Sequence, residues 1–300
     1  MMNIDIKTEI ESMDQLPPSP LTVKKLSEMI ANEDDIGGNE KSMSRIIATI
    51  EADSGLSGRL LSLSNSAFFG VSAKVNTLRQ VVVFLGLIEI RNLAMCLTVM
   101  EMKNLQTAWQ CLDAHEYWEE TVSVACLTQI LARELKAECA ENFYDRGFTA
   151  GIMHNIGKIV LAELRPEAYK PLLELSKTER LAAEQQQFGV TSIEAAVCLL
   201  QSWQFPLDLI DAISCQTRFD VEQKPRFLGL SDLLYFGCRL YELIGSESEP
   251  DPAAVLAADA ELAASLGHYG IDQKRLKKVL VHYGARITDA RNFFGLDGAA

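Results

Sequence analysis

A chain of 300 residues with 48% hydrophobic and 23% charged residues has the balance of a globular protein, long enough for one large domain or two modest ones. Its 28 basic against 41 acidic residues, net −13, argue against a nucleic-acid binder. The densest basic run, "QKRLKK" at 273–278, reads as the wet face of a helix.

The N-terminus is acidic and lacks the apolar core of a secretory signal. The apolar runs "VVVFLGLI" (81–88) and "LAMCLTVM" (93–100) are separated by Glu89, Arg91 and Asn92. Each falls far short of the ~20 residues of a membrane span, so both are expected as buried helix segments. Seven dispersed cysteines (Cys96, Cys111, Cys126, Cys139, Cys198, Cys215, Cys238) contain no C-x-x-C pair. They predict free thiols in a reducing cytoplasm rather than a zinc site.

Helical periodicity runs through nearly the whole chain. "SPLTVKKLSEMIAN" places Leu21, Leu26, Met29 and Ile30 on one face, and "SRIIATIEAD" continues with Ile46, Ile47 and Ile50. "LSGRLLSLSN" carries Leu56, Leu60, Leu61 and Leu63 before the break at "NSAFFG". Thr77 and Gln80 stand at capping-box spacing ahead of "VVVFLG". Residues 116–135 form a long helix with Val122, Ala125, Cys126, Gln129 and Ala132 on one side. A second capping box, Thr191 with Glu194, opens "SIEAAVCLLQSW"; Pro206 begins the next helix, and Asp272 caps the last. The prediction is an all-α protein, a bundle of about a dozen helices in two lobes with no significant sheet. The region before about residue 105 has short helices and no histidine, whereas the later part holds His115, His154, His268 and His282. Residues 245–264 are rich in Ala, Glu, Asp and Pro and read as an acidic linker.

"GIMHNIGKIVL" (151–161) is the one histidine-containing cluster with the look of a site. A His-Asp pair there would suit a divalent metal and phosphate-ester chemistry, because both side chains can reach one ion while an open position holds the attacking water. The pair is instead His154-Asn155; asparagine keeps the shape, loses the charge and is a weak ligand. Nothing in the spacing brings the other histidines to it, and a lone histidine on an apolar helix is more often a hydrogen-bonded core residue.

"LPPSPLTVKKLSEMI", "GRLLSLSNSAFFG", "LRQVVVFLGLIEIRNLAM" and "FTAGIMHNIGKIVL" occur in this order. Together they resemble the HDOD family, the HD-related output domain, over residues 12–245. The resemblance implies an N-terminal helical lobe over about 12–105 and an HD-like lobe over about 106–245. Residues 246–300 would then be an acidic linker and C-terminal helices. The family is related to HD-type metal-dependent phosphohydrolases, with catalytic residues frequently eroded. The resemblance maps the HD metal positions onto Glu120, His154, Asn155, Ser192, the pair Cys215 and Gln216, and Cys238. Only His154 of the strict ligand set is retained, with Glu120 as a substitute carboxylate, so neither a metal cofactor nor catalytic residues are expected.

The function this implies is non-catalytic signal transduction in a bacterial cytoplasm, through contacts with a protein partner. Asn65, Ser66, Phe68 and Phe69 are candidate contacts, although the two phenylalanines would equally plug a seam between helical lobes. Arg79 and Arg91 could meet an anion, but solvated or ion-paired faces are the commoner fate of such residues. Two alternatives stand beside this reading. One is a retained phosphohydrolase. The other is a sensor of a small phosphorylated ligand in the remnant cavity, with Lys158, one turn after His154, either holding a phosphate or facing solvent.

Overall fold

A computed structural model describes residues 6–11, 40–65, 75–100, 105–140, 143–219, 227–245, 247, 249–294 and 296. The protein is all-α. Among the described residues the only extended pairing is an isolated parallel bridge between Cys139 and Leu228. No described helix is long and apolar enough to cross a membrane. Contacts divide the chain into two compact units, residues 12–106 and residues 1–11 with 107–300.

The first unit contains α2 (Glu40–Glu51), α3 (Ser54–Ser64), α4 (Leu78–Leu85) and α5 (Leu87–Met100). Its core is made by Ile46, Ile50, Leu56, Leu60, Leu63, Val81, Ile90 and Leu93. Asp53 caps α3, and Thr77 with Gln80 makes both halves of the expected capping box on α4. Gly86, at φ 86°, turns α4 into α5 in a conformation that other residues rarely adopt. The apolar run at 81–88 is not buried throughout. Val83 and Phe84 are 73% and 54% exposed, because a short two-sided helix can turn only Leu78, Val81, Val82 and Leu85 inward.

Asn65, expected as a partner contact, is engaged by its own loop. Its Nδ2 donates to Leu61 O at 2.9 Å and Val75 O at 2.6 Å, and its Oδ1 accepts from Val75 N at 2.7 Å. Asn65→Ala is expected to cost about 1–2 kcal/mol in denaturant unfolding, through the loss of three short hydrogen bonds to backbone. Ser66, Phe68 and Phe69 lie outside the described residues, as does the periodic stretch at 19–32.

The second unit is built on α7 (Ala114–Glu134), started by Asp113 and buried on all sides from Thr121 to Ala132. Around it stand α8 (Tyr144–Met153), α14 (Leu230–Ile244) and α17 (Gln273–Phe294), with α9 (Ile156–Leu164) continuing α8 after a corner. α12 (Ser192–Ser202) packs on α9, and α13 (Leu207–Ser214) packs on α12, α14 and α8; α11 (Lys177–Phe188) precedes α12 in the chain, and α1 (Ile6–Glu11) packs on α12. Short helices α6 (Gln106–Cys111) and α10 (Pro166–Tyr169) complete this part.

Helix crossings here are close. A Cβ on Gly151 would stand 2.2 Å from Ala125 Cα, so α8 meets α7 backbone to backbone. Residues 245–264 are not a plain linker; they fold into α15 (Pro252–Ala258) and α16 (Ala260–His268), each capped by an aspartate, Asp251 and Asp259. The last helix is tied to α7 by His282 to Glu134 and Arg291 to Glu119, to the turn after α7 by Arg275 to Glu138, and to α8 by Arg286 to Tyr144. His115 adds a contact to Leu296 O at 3.1 Å. All seven cysteines are free thiols, and Cys96, Cys111, Cys126, Cys139 and Cys238 are buried.

Candidate functional site: the His154 corner

The corner between α8 and α9 is made by His154 and Asn155. The Nδ1 of His154 lies 2.6 Å from Gly151 O, and since a carbonyl only accepts, this nitrogen carries the ring hydrogen. Nε2 then points its lone pair toward Glu120 Oε1, 4.0 Å away and beyond hydrogen-bond range. Burial pushes the His154 pKa down to about 4, against the partial opposition of Glu120 and the bond to Gly151 O. The ring is therefore neutral at pH 7.

Lys158, one turn on, is only 9% exposed and points inward. Its Nζ donates to Glu120 Oε2 at 2.7 Å. Burial alone would raise the Glu120 pKa, but the Lys158 ammonium, by its charge and its hydrogen bond, outweighs it and holds the carboxyl well below the usual range. Burial drives the Lys158 pKa down, with Glu120 opposing it. The result is a charged pair linking α7 to α9. Lys158 is thus neither of the expected alternatives, a solvent-facing side chain or a free anchor for phosphate. Its charge is already matched.

Gln216 braces the corner from the turn just after α13, its Nε2 donating to His154 O at 3.0 Å and Ile213 O at 3.1 Å. Cys238 Sγ on α14 is 4.0 Å from Gln216 Oε1, and burial pushes its thiol pKa up to about 12. Cys215, placed beside Gln216 in the expected set, is the C-cap of α13 and contacts Ser214 instead. At the end of a helix adjacent residues diverge by about 100°, so only one of the pair can face His154.

Ser192 opens α12, where its N and Oγ both donate to Glu184 Oε2, at 2.6 and 2.9 Å. Glu184 is buried, and Arg180 Nε lies 3.8 Å from its other oxygen. Lys177, on the same helix, pairs with Glu242 at 2.8 Å. Lys177, Arg180 and Glu184 are the members of this site that sequence reasoning missed. Their signal was legible: spacing of three and four residues after the Ser176–Glu179 capping box puts all three on one face of α11.

The structure thus brings together Glu120, His154, Asn155, Lys158, Ser192, Gln216 and Cys238, leaves Cys215 aside, and adds the charged face of α11. Between His154, Asn155, Lys158, Ser192 and Gln216 on one side and Lys177 and Arg180 on the other is a cavity of about 10 Å³, room for one water at most.

This arrangement does not fit a divalent metal. Among the described residues no three His, Cys, Asp or Glu side chains converge. The one available imidazole nitrogen faces a carboxylate already paired with an ammonium, Cys238 is held as the thiol, and Lys158 would repel a cation. The neutral histidine predicts a pH dependence. The folded-state value of about 4 lies below the unfolded value of 6.5, so on acidification the unfolded chain takes the proton first. Its contribution is full above about pH 6.5 and is lost as pH falls toward 4, about 3 kcal/mol in all. Urea unfolding between those pH values is expected to show this loss in the parent and not in His154→Phe.

The fold and this corner define an all-helical domain with a closed, charge-paired corner at His154. The HDOD domain family matches residues 16–219, and the chain belongs to that family. Three solved structures share its fold. A "Putative phosphohydrolase" of Shewanella amazonensis SB2B is 23% identical, with TM-score 0.65 over 97% of this chain and 99% of that one. A "Putative signal transduction protein" of Marinobacter aquaeolei VT8 is 22% identical, with TM-score 0.67 over 100% of this chain and 62% of the other. An "HDOD domain protein with unknown function" of Geobacter sulfurreducens is 19% identical, with TM-score 0.64 over 98% and 96%. An uncharacterized protein of Treponema pallidum (strain Nichols) is 24% identical over 222 residues, 70% of this chain. The match spans 41% of that relative's length.

Proposed function

We propose that this HDOD protein is a regulatory, non-catalytic component of signal transduction that acts through contacts with a protein partner. The carrying observation is the Lys158–Glu120 pair at 2.7 Å. It places a lysine ammonium among the positions where the HD resemblance puts metal ligands, and it ties up the carboxylate a metal would need. Family membership supports an output role, and the Marinobacter neighbour bears a signal-transduction name. A ligand sensor at the same place has little support. Small-molecule pockets run to roughly 300–1,000 Å³, and the two lysines around the corner are each paired with a carboxylate at hydrogen-bond distance, Lys158 with Glu120 and Lys177 with Glu242.

Hydrolysis assays on generic phosphodiesters and cyclic dinucleotides, with Mn²⁺, Fe²⁺, Ni²⁺ or Zn²⁺ supplied, test the reading. No turnover that depends on His154 is expected. Turnover abolished by His154→Ala would overturn it.

A further inference from the structure

The outer face of α17 is complementary to itself. Between this helix and the segment at 249–252 lies an open groove of about 640 Å³, walled by Pro250 and Pro252 and floored by Leu280, Val281, Gly284 and Ala285. Val281 is 59% exposed there. Along one row of the helix, four residues apart, stand Lys277, Val281, Ala285 and Asp289, all exposed. Among the described residues neither Lys277 nor Asp289 makes an ion pair or a side-chain hydrogen bond.

We propose that α17 pairs antiparallel with α17 of a second copy, across a two-fold axis passing between Val281 and Ala285. The axis reverses the row, so Lys-Val-Ala-Asp meets Asp-Ala-Val-Lys. Lys277 then faces Asp289 of the second copy, and Val281 faces Ala285 of the second copy. Each charge meets its opposite and each large side chain a small one, as an interface made of the same patch twice requires. Rows of this spacing interdigitate in the commonest class of helix packing. Gly284 and Ala285 leave room for the approach, and the groove beside them receives the second helix's side chains. A parallel pairing would set lysine on lysine and aspartate on aspartate. This surface is on the side of α17 away from α7, and the inference does not depend on the function proposed above.

One helix crossing buries a small area, so the dimer is a weak one with Kd on the order of micromolar or higher. Sedimentation velocity of the full chain, from about 5 to 300 μM to bracket that range, tests it. The expected result is a concentration-dependent shift from one chain to two. Val281→Arg and Lys277→Asp should each weaken association about tenfold or more without changing the thermal midpoint, since both positions are exposed. The double variant Lys277→Asp/Asp289→Lys should restore it. A monomer throughout the range, or a dimer that none of these substitutions weakens, would overturn the proposal.

Discussion

Lys158→Met is expected to lower stability by about 3 kcal/mol at pH 7, although methionine fills similar space in an apolar wall. Removing one partner of a buried ion pair costs about 3–5 kcal/mol because the other charge is left uncompensated. Glu120 is 26% exposed at its side chain, so water recovers part of that and the lower end applies. The cost should depend on pH in a definite direction. In the parent, Lys158 holds the folded-state pKa of Glu120 below its unfolded value, so this contribution is present above the unfolded pKa and is lost as pH falls through the folded one. Without the ammonium, burial acts alone and raises the Glu120 pKa above its unfolded value. Acidification then neutralises the stranded carboxylate, and the gap between parent and variant narrows from pH 7 toward pH 4. Glu120→Gln combined with Lys158→Met should recover most of the loss, since pairs in contact are not additive. Additive losses in the double variant, measured by urea unfolding, would show that the two side chains are not coupled.

Gly157→Ala is the second large effect, about 4 kcal/mol or outright failure to fold. A Cβ at this position would stand 1.7 Å from Ser192 O, 2.7 Å from Ser192 C and 2.8 Å from Ala196 N. These are backbone atoms of α12, and they cannot rotate away as a side chain would. Relief requires α9 and α12 to separate by more than an ångström, which breaks the Ser192–Glu184 cap and the packing beside it. Gly58 on α3 is the control: nothing lies within 4 Å of its Cβ position, so Gly58→Ala should gain about 0.5–1 kcal/mol from helix propensity alone. Equal effects at the two glycines would contradict the close-crossing account. The same crossing gives "HNIGK" a structural reason for its glycine that has nothing to do with a metal.

The all-helical class was legible because periodicity and capping residues are local signals: Thr77 with Gln80 and Thr191 with Glu194 formed the boxes their spacing predicts. His154 and Asn155 were legible as a cluster but not as a corner, because Asn155 stands at the start of α9 without a side-chain cap bond. Glu120 was found only through family resemblance, since α7 is buried nearly all round and its own pattern does not say which residue faces which neighbour. Lys158 shows the limit most plainly. A lysine among apolar residues reads as solvent-facing or as an anion site, and its actual fate is set by a carboxylate 38 residues earlier in the chain. Cys215 and Gln216 are adjacent in sequence, and only the end geometry of α13 decides that the amide faces inward. Composition misled at 245–264, where aspartates that suggested a linker are helix caps.

An internal ammonium–carboxylate pair, Lys158 with Glu120, closes the His154 corner to a metal ion. Elemental analysis of the purified protein, dialysed against excess Mn²⁺ or Zn²⁺ and then against metal-free buffer, addresses it most directly, with His154→Ala and Lys158→Met alongside. The account predicts well under one retained ion per chain, at the same level in the parent and in His154→Ala. One ion per chain in the parent, lost in His154→Ala, would contradict it.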